Sequence, residues 1–291
     1  MTSWRALALQ LFMLPMAIVA ACVGIFLLFG SLADEDRDAR TLLAEIRRHD
    51  GGSVLQVGDR NARWNAARFL PESVVRERES LRQDPSFCRG LIELYEDPRY
   101  PDAAIRAVLA SAMGQLGDPQ AIPVLVRGLS RTAEEERHER FACAWALGAL
   151  QAREGVPALA ALLQDPSSSL RKIAAYALGA IGDPEARRAL GTALEDADAP
   201  VRWTAAVCLA SRGDASGSAV LTFFLDRKAV ESSTQILPEE RETVLAESAR
   251  AAGALGTPEF KAALERLSRD PSAKVSLAAR QALIAAGKSH R

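Results

Sequence analysis

The chain has 291 residues, with 36 basic and 37 acidic side chains and a formal net charge of -1. That balance excludes a bulk-charge nucleic-acid binder, which needs a strong basic excess. A hydrophobic content of 48% with 25% charged residues excludes a disordered chain, while 5% aromatics and an abundance of Ala, Leu, Arg and Glu point to an all-α protein.

The first predicted element is apolar. Ala6 to Phe29 forms a 24-residue run broken only by Gln10, with Trp4 where an interfacial anchor belongs and Pro15 inside. At about 1.5 Å per residue it reaches roughly 36 Å, enough for a bilayer core of about 30 Å. A cleaved signal peptide ending at Ser31-Leu32-Ala33 has a shorter apolar region. A lipoprotein signal at Val19-Ala20-Ala21-Cys22 would continue into polar residues, not into Val-Gly-Ile-Phe-Leu-Leu-Phe. A single uncleaved transmembrane helix fits best, making the chain a single-pass cell membrane protein. Arg37, Arg40, Arg47 and Arg48 against Arg5 lean toward a cytoplasmic repeat domain. The division expected is an anchor over 1–33, a juxtamembrane stalk over 34–52 and a repeat region over 53–291.

A repeat follows. The markers Gly117, Gln151, Gly182, Gly213, Gly256 and Gly287 are 34, 31, 31, 43 and 31 residues apart, a period of 31 with insertions of 3 and 12. Eight residues after the marker stand Leu125, Leu159, Leu190, Leu221 and Leu264. Five before it stand Ala112, Ala146, Ala177, Cys208, Ala251 and Ala282, and three before it Gly114, Gly148, Gly179, Ala210 and Gly253. Small residues let helices approach and Leu fills the layer between them. Each unit reads as helix, tight turn, helix: Gly ends the first helix, Asp caps the second and Pro occupies its first turn, as in Asp118-Pro119 and Asp183-Pro184. Stacked units bury a continuous face, so the product is an α-solenoid. "NARWNAARFL" (Asn61–Leu70) parallels "PVRWTAAVCL" (Pro200–Leu209) and marks a degenerate first repeat over 53–97, before regular repeats over 98–271 and a capping helix over 272–291.

"DPSSSLRKIAAYALGAIGDPEARRALGTALED" (Asp165–Asp196) resembles a HEAT repeat of the short bacterial type also found in phycobilisome lyases. The resemblance implies a ladder linking neighbouring units, from acid–Arg pairs six apart: Glu134 with Arg140, Asp165 with Arg171, and Asp196 with Arg202.

Candidate chemistry is sparse. His138-Glu139, at the head of "ERHERFACAWALGAL", resembles the His-Glu pairs that hold two metals in deoxyhypusine hydroxylase. That site needs several such pairs, and the other two histidines, His49 and His290, are not followed by Glu, so the pair reads as solvated charge at a helix start. Cys143 and Cys208 occupy small-residue slots, and no CxxC or Cys-His spacing suggests zinc or redox work. No catalytic, metal or cofactor residues are expected and no cofactor is implied. The reading is a non-catalytic protein–protein interaction scaffold tethered to a membrane, with an unidentified protein partner in a membrane-proximal complex and no nucleic acid. The alternative is an accessory subunit or lyase-like factor for cofactor or chromophore attachment. Candidate partner contacts are Arg127, Arg187, Arg188, Lys261 and Arg266, together with Lys228, Ile236 and Leu237 in the 226–242 insertion, expected as a surface loop.

Overall fold

The computed structural model describes residues 37–48, 57–98 and 102–289; the described residues are helices, short 3-10 turns and loops, without a strand. They divide into two compact units, with the boundary between Leu94 and Tyr95.

The first unit holds α1 (Ala39–Arg47), α2 (Val57–Arg82) and most of α3 (Pro85–Glu96). Asp38 caps α1 by accepting the Thr41 N–H at 2.7 Å, a bond that holds its carboxyl below the usual range. Ala39, Leu42, Leu43 and Ile46, spaced three or four apart, are the face of α1 that is buried. The Ala39 N–H donates to Glu77 on α2 at 3.2 Å, and Arg47 donates to the Gly90 carbonyl on α3 at 3.3 Å. The segment read as a stalk thus contains a helix packed into a hydrophobic unit.

Among the described residues no helix is long and apolar enough to cross a membrane. This corrects the single-pass cell membrane assignment and its transmembrane helix: α2, at 26 residues, is long enough but carries Arg and Glu along its length. The run Ala6–Phe29, on which that expectation rested, lies outside the described residues.

The second unit is a succession of helix pairs, consistent with an α-solenoid. The first helices are α4 (Ala103–Leu116), α6 (Arg137–Ala149), α8 (Ser168–Ile181), α10 (Ala199–Ala210) and α13 (Arg241–Leu255). Their second helices are α5 (Ile122–Leu129), α7 (Val156–Leu162), α9 (Pro184–Ala193), α11 (Ser218–Phe224) and α14 (Lys261–Leu267). The 12-residue insertion contains α12 (Arg227–Ser232), and α15 (Ala273–Ser289) follows the last pair. Gly117, Gly182, Gly213 and Gly256 take φ of 75, 66, 76 and 66°, the left-handed conformation that closes the first helix, and Gln151 takes it at 51° at a cost glycine avoids. Asp118 and Asp183 then accept backbone N–H bonds from Gln120 and Ala186. Gly287, in the same slot, lies within α15, where no Asp cap follows it.

The two small-residue slots face each other across adjacent first helices. A Cβ on Gly148 would meet the Ala177 Cα at 2.9 Å, and one on Gly114 or Gly253 would meet Ala146 or Ala282 at 2.7 or 2.6 Å. The glycine of one unit therefore lies against the alanine of the next, which fixes the close stacking of first helices. Beneath that layer Leu125, Leu159, Leu190, Leu221 and Leu264 are all buried.

The insertion is not a free loop. Val230 and Ile236 are 0% and 4% exposed and belong to the core formed with α10, α11 and α13. Gln235 accepts the Ala199 N–H at 2.8 Å, so the segment also caps the start of α10.

Candidate interaction surface

Arginines near the starts of the first helices α6 and α8 join their units to the next. Arg140 donates to Asp165 at 2.6 Å, and Arg171 holds both oxygens of Asp196 at 2.7 and 2.9 Å. The carboxylate partner is the acid of the following unit; toward the acid six residues earlier, arginine reaches only backbone carbonyls, Arg171 those of Asp165 and Pro166, Arg202 those of Asp196 and Ala197. Bidentate geometry makes Arg171–Asp196 the strong kind of pair. The hydrogen bond to Asp196 raises the Arg171 pKa, and for Asp196 the bonds from Arg171 and the Asp198 N–H outweigh burial and lower its pKa. Glu134 pairs within its own turn, with Arg137.

The equivalent acid slot, seventeen residues before the markers from Gln151 onward, holds Glu134, Asp165, Asp196, Glu239 and Asp270. Asp270 is held by Arg227 from the insertion at 2.5 and 2.6 Å, and that bond raises the Arg227 pKa. Arg227 is needed there because the arginine slot of its unit holds Leu245. Glu239 has no such arginine: its exposed side chain makes no hydrogen bond or ion pair with a described residue, and the same is true of the side chains of Glu240 and Lys172. These three rim a pocket of about 270 Å³ whose apolar lining includes Trp203, Phe224, Ile236 and Val244. The Trp203 indole N–H donates to Ser248 Oγ at 2.9 Å, which fixes the ring against the pocket.

At the other end of this unit Glu139 is fully buried, which corrects its reading as solvated charge. It accepts from the Tyr95 hydroxyl at 2.5 Å and Arg106 Nε at 2.8 Å, and pairs with Arg131 at 3.3 Å. Arg106 is the ladder arginine of its unit, so this cluster is the first rung, buried. The neighbouring Cys143 thiol is pushed up to about 12 by burial, and burial likewise raises the Tyr95 hydroxyl. His138, the preceding residue of the same helix, is exposed, so of the His-Glu pair only Glu139 enters the interior. Among the described residues no group of three or more His, Cys, Asp or Glu is placed to hold a metal.

The remaining candidates scatter. Arg127 pairs with Glu96. Arg187 is half-buried with Nε unbonded, whereas Arg188, Lys261, Arg266 and Lys228 are exposed. Ile236 is buried and Leu237 is 55% exposed, so only the latter faces solvent. The sequence reading passed over the exposed aromatics. Phe141 and Trp203 stand ten residues before their markers, and Trp145 and Tyr176 six before theirs. These two slots are one helical turn apart and share a face. Phe141 is 41% and Tyr176 50% exposed, while Trp145 and Trp203 are half-buried. The slots were readable from the repeat frame once aromatics were aligned in it.

Comparison with family models matches HEAT repeats at residues 89–175, 132–210 and 156–230, and this part of the chain is built of them. No curated protein matches the sequence. Among solved structures, the complex of CpcE and CpcF of phycocyanin lyase from Nostoc sp. PCC7120 is 22% identical with a TM-score of 0.54, covering 86% of this chain and 88% of that one. YibA of Escherichia coli is 18% identical at TM-score 0.48, covering 88% and 94%. Human deoxyhypusine hydroxylase is 20% identical at 0.33, covering 89% and 99%. At such identities the CpcE–CpcF likeness is one of fold, and the other two are too distant in shape to bear on function.

Proposed function

We propose that this protein is an interaction scaffold, whose HEAT unit binds a protein partner across the outward face of first helices α6, α8 and α10. The observation that carries this is the row of Phe141, Trp145, Tyr176 and Trp203 in two repeat slots on three successive helices. Large aromatics left in contact with water on a shared face are the side chains that supply most binding energy at interfaces. The solved CpcE–CpcF relative is itself a complex of two chains, which agrees with partner binding by this fold. The lyase-like alternative draws support from that same fold likeness and from no residue of this chain.

The test is affinity purification of the full chain from its native cells, in parallel with a Phe141→Ala/Tyr176→Ala variant. A stoichiometric partner that is lost from the variant, at unchanged helicity, is the expected result. Retention of that partner in full, or the absence of any stoichiometric partner, overturns the reading. A tetrapyrrole or other chromophore carried by the purified chain would favour the lyase-like alternative.

A further inference from the structure

In the acid slot of the repeat an arginine pairs with Glu134 from its own turn and with three aspartates from another element, and one acid of the slot lacks any arginine. In the acid slot, Asp165, Asp196 and Asp270 each hold an arginine, from Arg140, Arg171 and Arg227. Glu239 stands in the same slot and holds none. The 12-residue insertion separates it from Arg202, the ladder arginine of the preceding unit, which is occupied with the carbonyls of Asp196 and Ala197. We infer that this vacant rung is a binding pocket for an arginine side chain from a protein partner. The inference rests on the scaffold reading and names the chemistry of one contact on that surface.

Three features select arginine. The pocket, at about 270 Å³, falls just below the roughly 300–1,000 Å³ of ordinary small-molecule sites and suits one inserted side chain. Its rim carries two carboxylates, Glu239 and Glu240, against one ammonium, Lys172, so one further positive charge balances it. Its wall includes the indole of Trp203, held by the bond to Ser248 and tilted 59° to Phe224 at 6.5 Å. A guanidinium is planar, stacks on indole and forks onto carboxylates, while its methylene stem is apolar enough for Ile236 and Val244. Lysine would satisfy the charge but neither the stacking nor the fork. An acidic side chain would have Lys172 on its side and both carboxylates against it.

The insertion therefore has two jobs. Val230, Ile236 and Arg227 tie it into the stack, and that anchoring sets Glu239 and Glu240 at the pocket mouth. The pocket also lies at Trp203, the end of the aromatic row, so a partner segment crossing α6 and α8 could place its arginine there.

The experiment titrates the full chain with blocked pentapeptides Ala-Ala-X-Ala-Ala, where X is Arg, Leu or Glu. The readout is the NMR signal of the Trp203 indole N–H, assigned by its loss in Trp203→Phe. The Arg peptide is expected to shift that signal saturably and to weaken with added salt. Glu239→Gln should reduce the affinity about two- to fivefold, as for an exposed ion pair, and Glu240→Gln should reduce it further, both at unchanged melting. A Leu peptide that binds as well as Arg, a preference for Glu, an affinity indifferent to Glu239→Gln, or no shift with any peptide overturns the proposal. The two readings separate cleanly: a partner lost from the Phe141/Tyr176 variant while Arg peptides leave Trp203 unmoved keeps the scaffold and removes this pocket. An Arg-dependent shift in a chain whose partner ignores the aromatic row does the reverse.

Discussion

The stack from α6 to α10 and the junction from α10 to α13 are built from the same slots, yet they solve different problems. In the first, glycine lies against a small residue at each crossing, Gly148 on Ala177 and Gly179 on Cys208, and an Arg–Asp pair closes the rung. In the second, Ala210 replaces the glycine, the insertion enters, and the rung stays open beside a pocket. Regular units spend their variable positions on each other. The irregular junction holds itself together with side chains from the insertion and leaves its polar groups for something else. In a repeat protein, the place where a rule lapses while the fold remains packed is where function has room.

The sharpest way to break this comparison is to ask whether the insertion is structural at all. Ile236→Ala removes a side chain that is 4% exposed and packed in the core. The expected loss is about 2–5 kcal/mol, read by chemical denaturation. A loss below about 0.5 kcal/mol, the surface range, would mean the insertion is decoration. Next in size is Gly148→Ala. Its new methyl would stand 2.9 Å from the Ala177 backbone, which cannot rotate away, so α6 and α8 must part. Overpacking of this kind costs about 1–3 kcal/mol. If Gly148→Ala melted with wild type, close approach would not be what sets the stacking in the regular region.

Much of this was legible in the sequence, because the signals are local. The left-handed glycines, the Asp-Pro starts and the buried leucines each follow from one residue and its neighbours. What required three dimensions was pairing. Gly148 and Ala177 are both visible as small, but that one receives the other is a fact of helix crossing. The same holds for Arg171, which is six residues from Asp165 and bonds its carbonyl, while its carboxylate partner Asp196 is 25 residues on. Glu139 was misread for a related reason: without further His-Glu pairs for a metal site it reads as solvated charge at a helix start, whereas its neighbours in space are Tyr95, Arg106 and Arg131. The insertion looked like a loop because Ser, Thr, Pro and Glu surround Val230 and Ile236, and two buried residues six apart carry no periodic signal.

A third, smaller effect tests the closed rung. Arg171→Ala removes the bidentate partner of Asp196 and should cost about 0.5–3 kcal/mol. The pair also predicts a pH dependence. The folded Asp196 pKa is lowered, so the unfolded chain binds its proton more readily. The stabilisation is present in full above the ordinary Asp pKa of about 3.9 and is lost as pH falls through the lower folded value. Asp196→Asn should therefore flatten the stability profile below about pH 4 relative to wild type. A profile of identical slope in that window would show that Asp196 titrates as it does in the unfolded chain.

The open rung gives the smallest effect and the most pointed contrast. Glu239 occupies the slot of Asp196 and Asp270 but is exposed and without a described partner. Glu239→Gln should leave stability within about 0.5 kcal/mol of wild type, where Arg171→Ala does not. Added salt should act in the same direction: it screens exposed charge and leaves the half-buried pairs of the closed rungs largely intact, so the variant and wild type should melt together at low and high salt. A clear destabilisation on Glu239→Gln, relieved by salt in neither protein, would mean that the rung is closed within the free chain. The distinction between the two junctions would then disappear, and with it the reason to look for an arginine from outside.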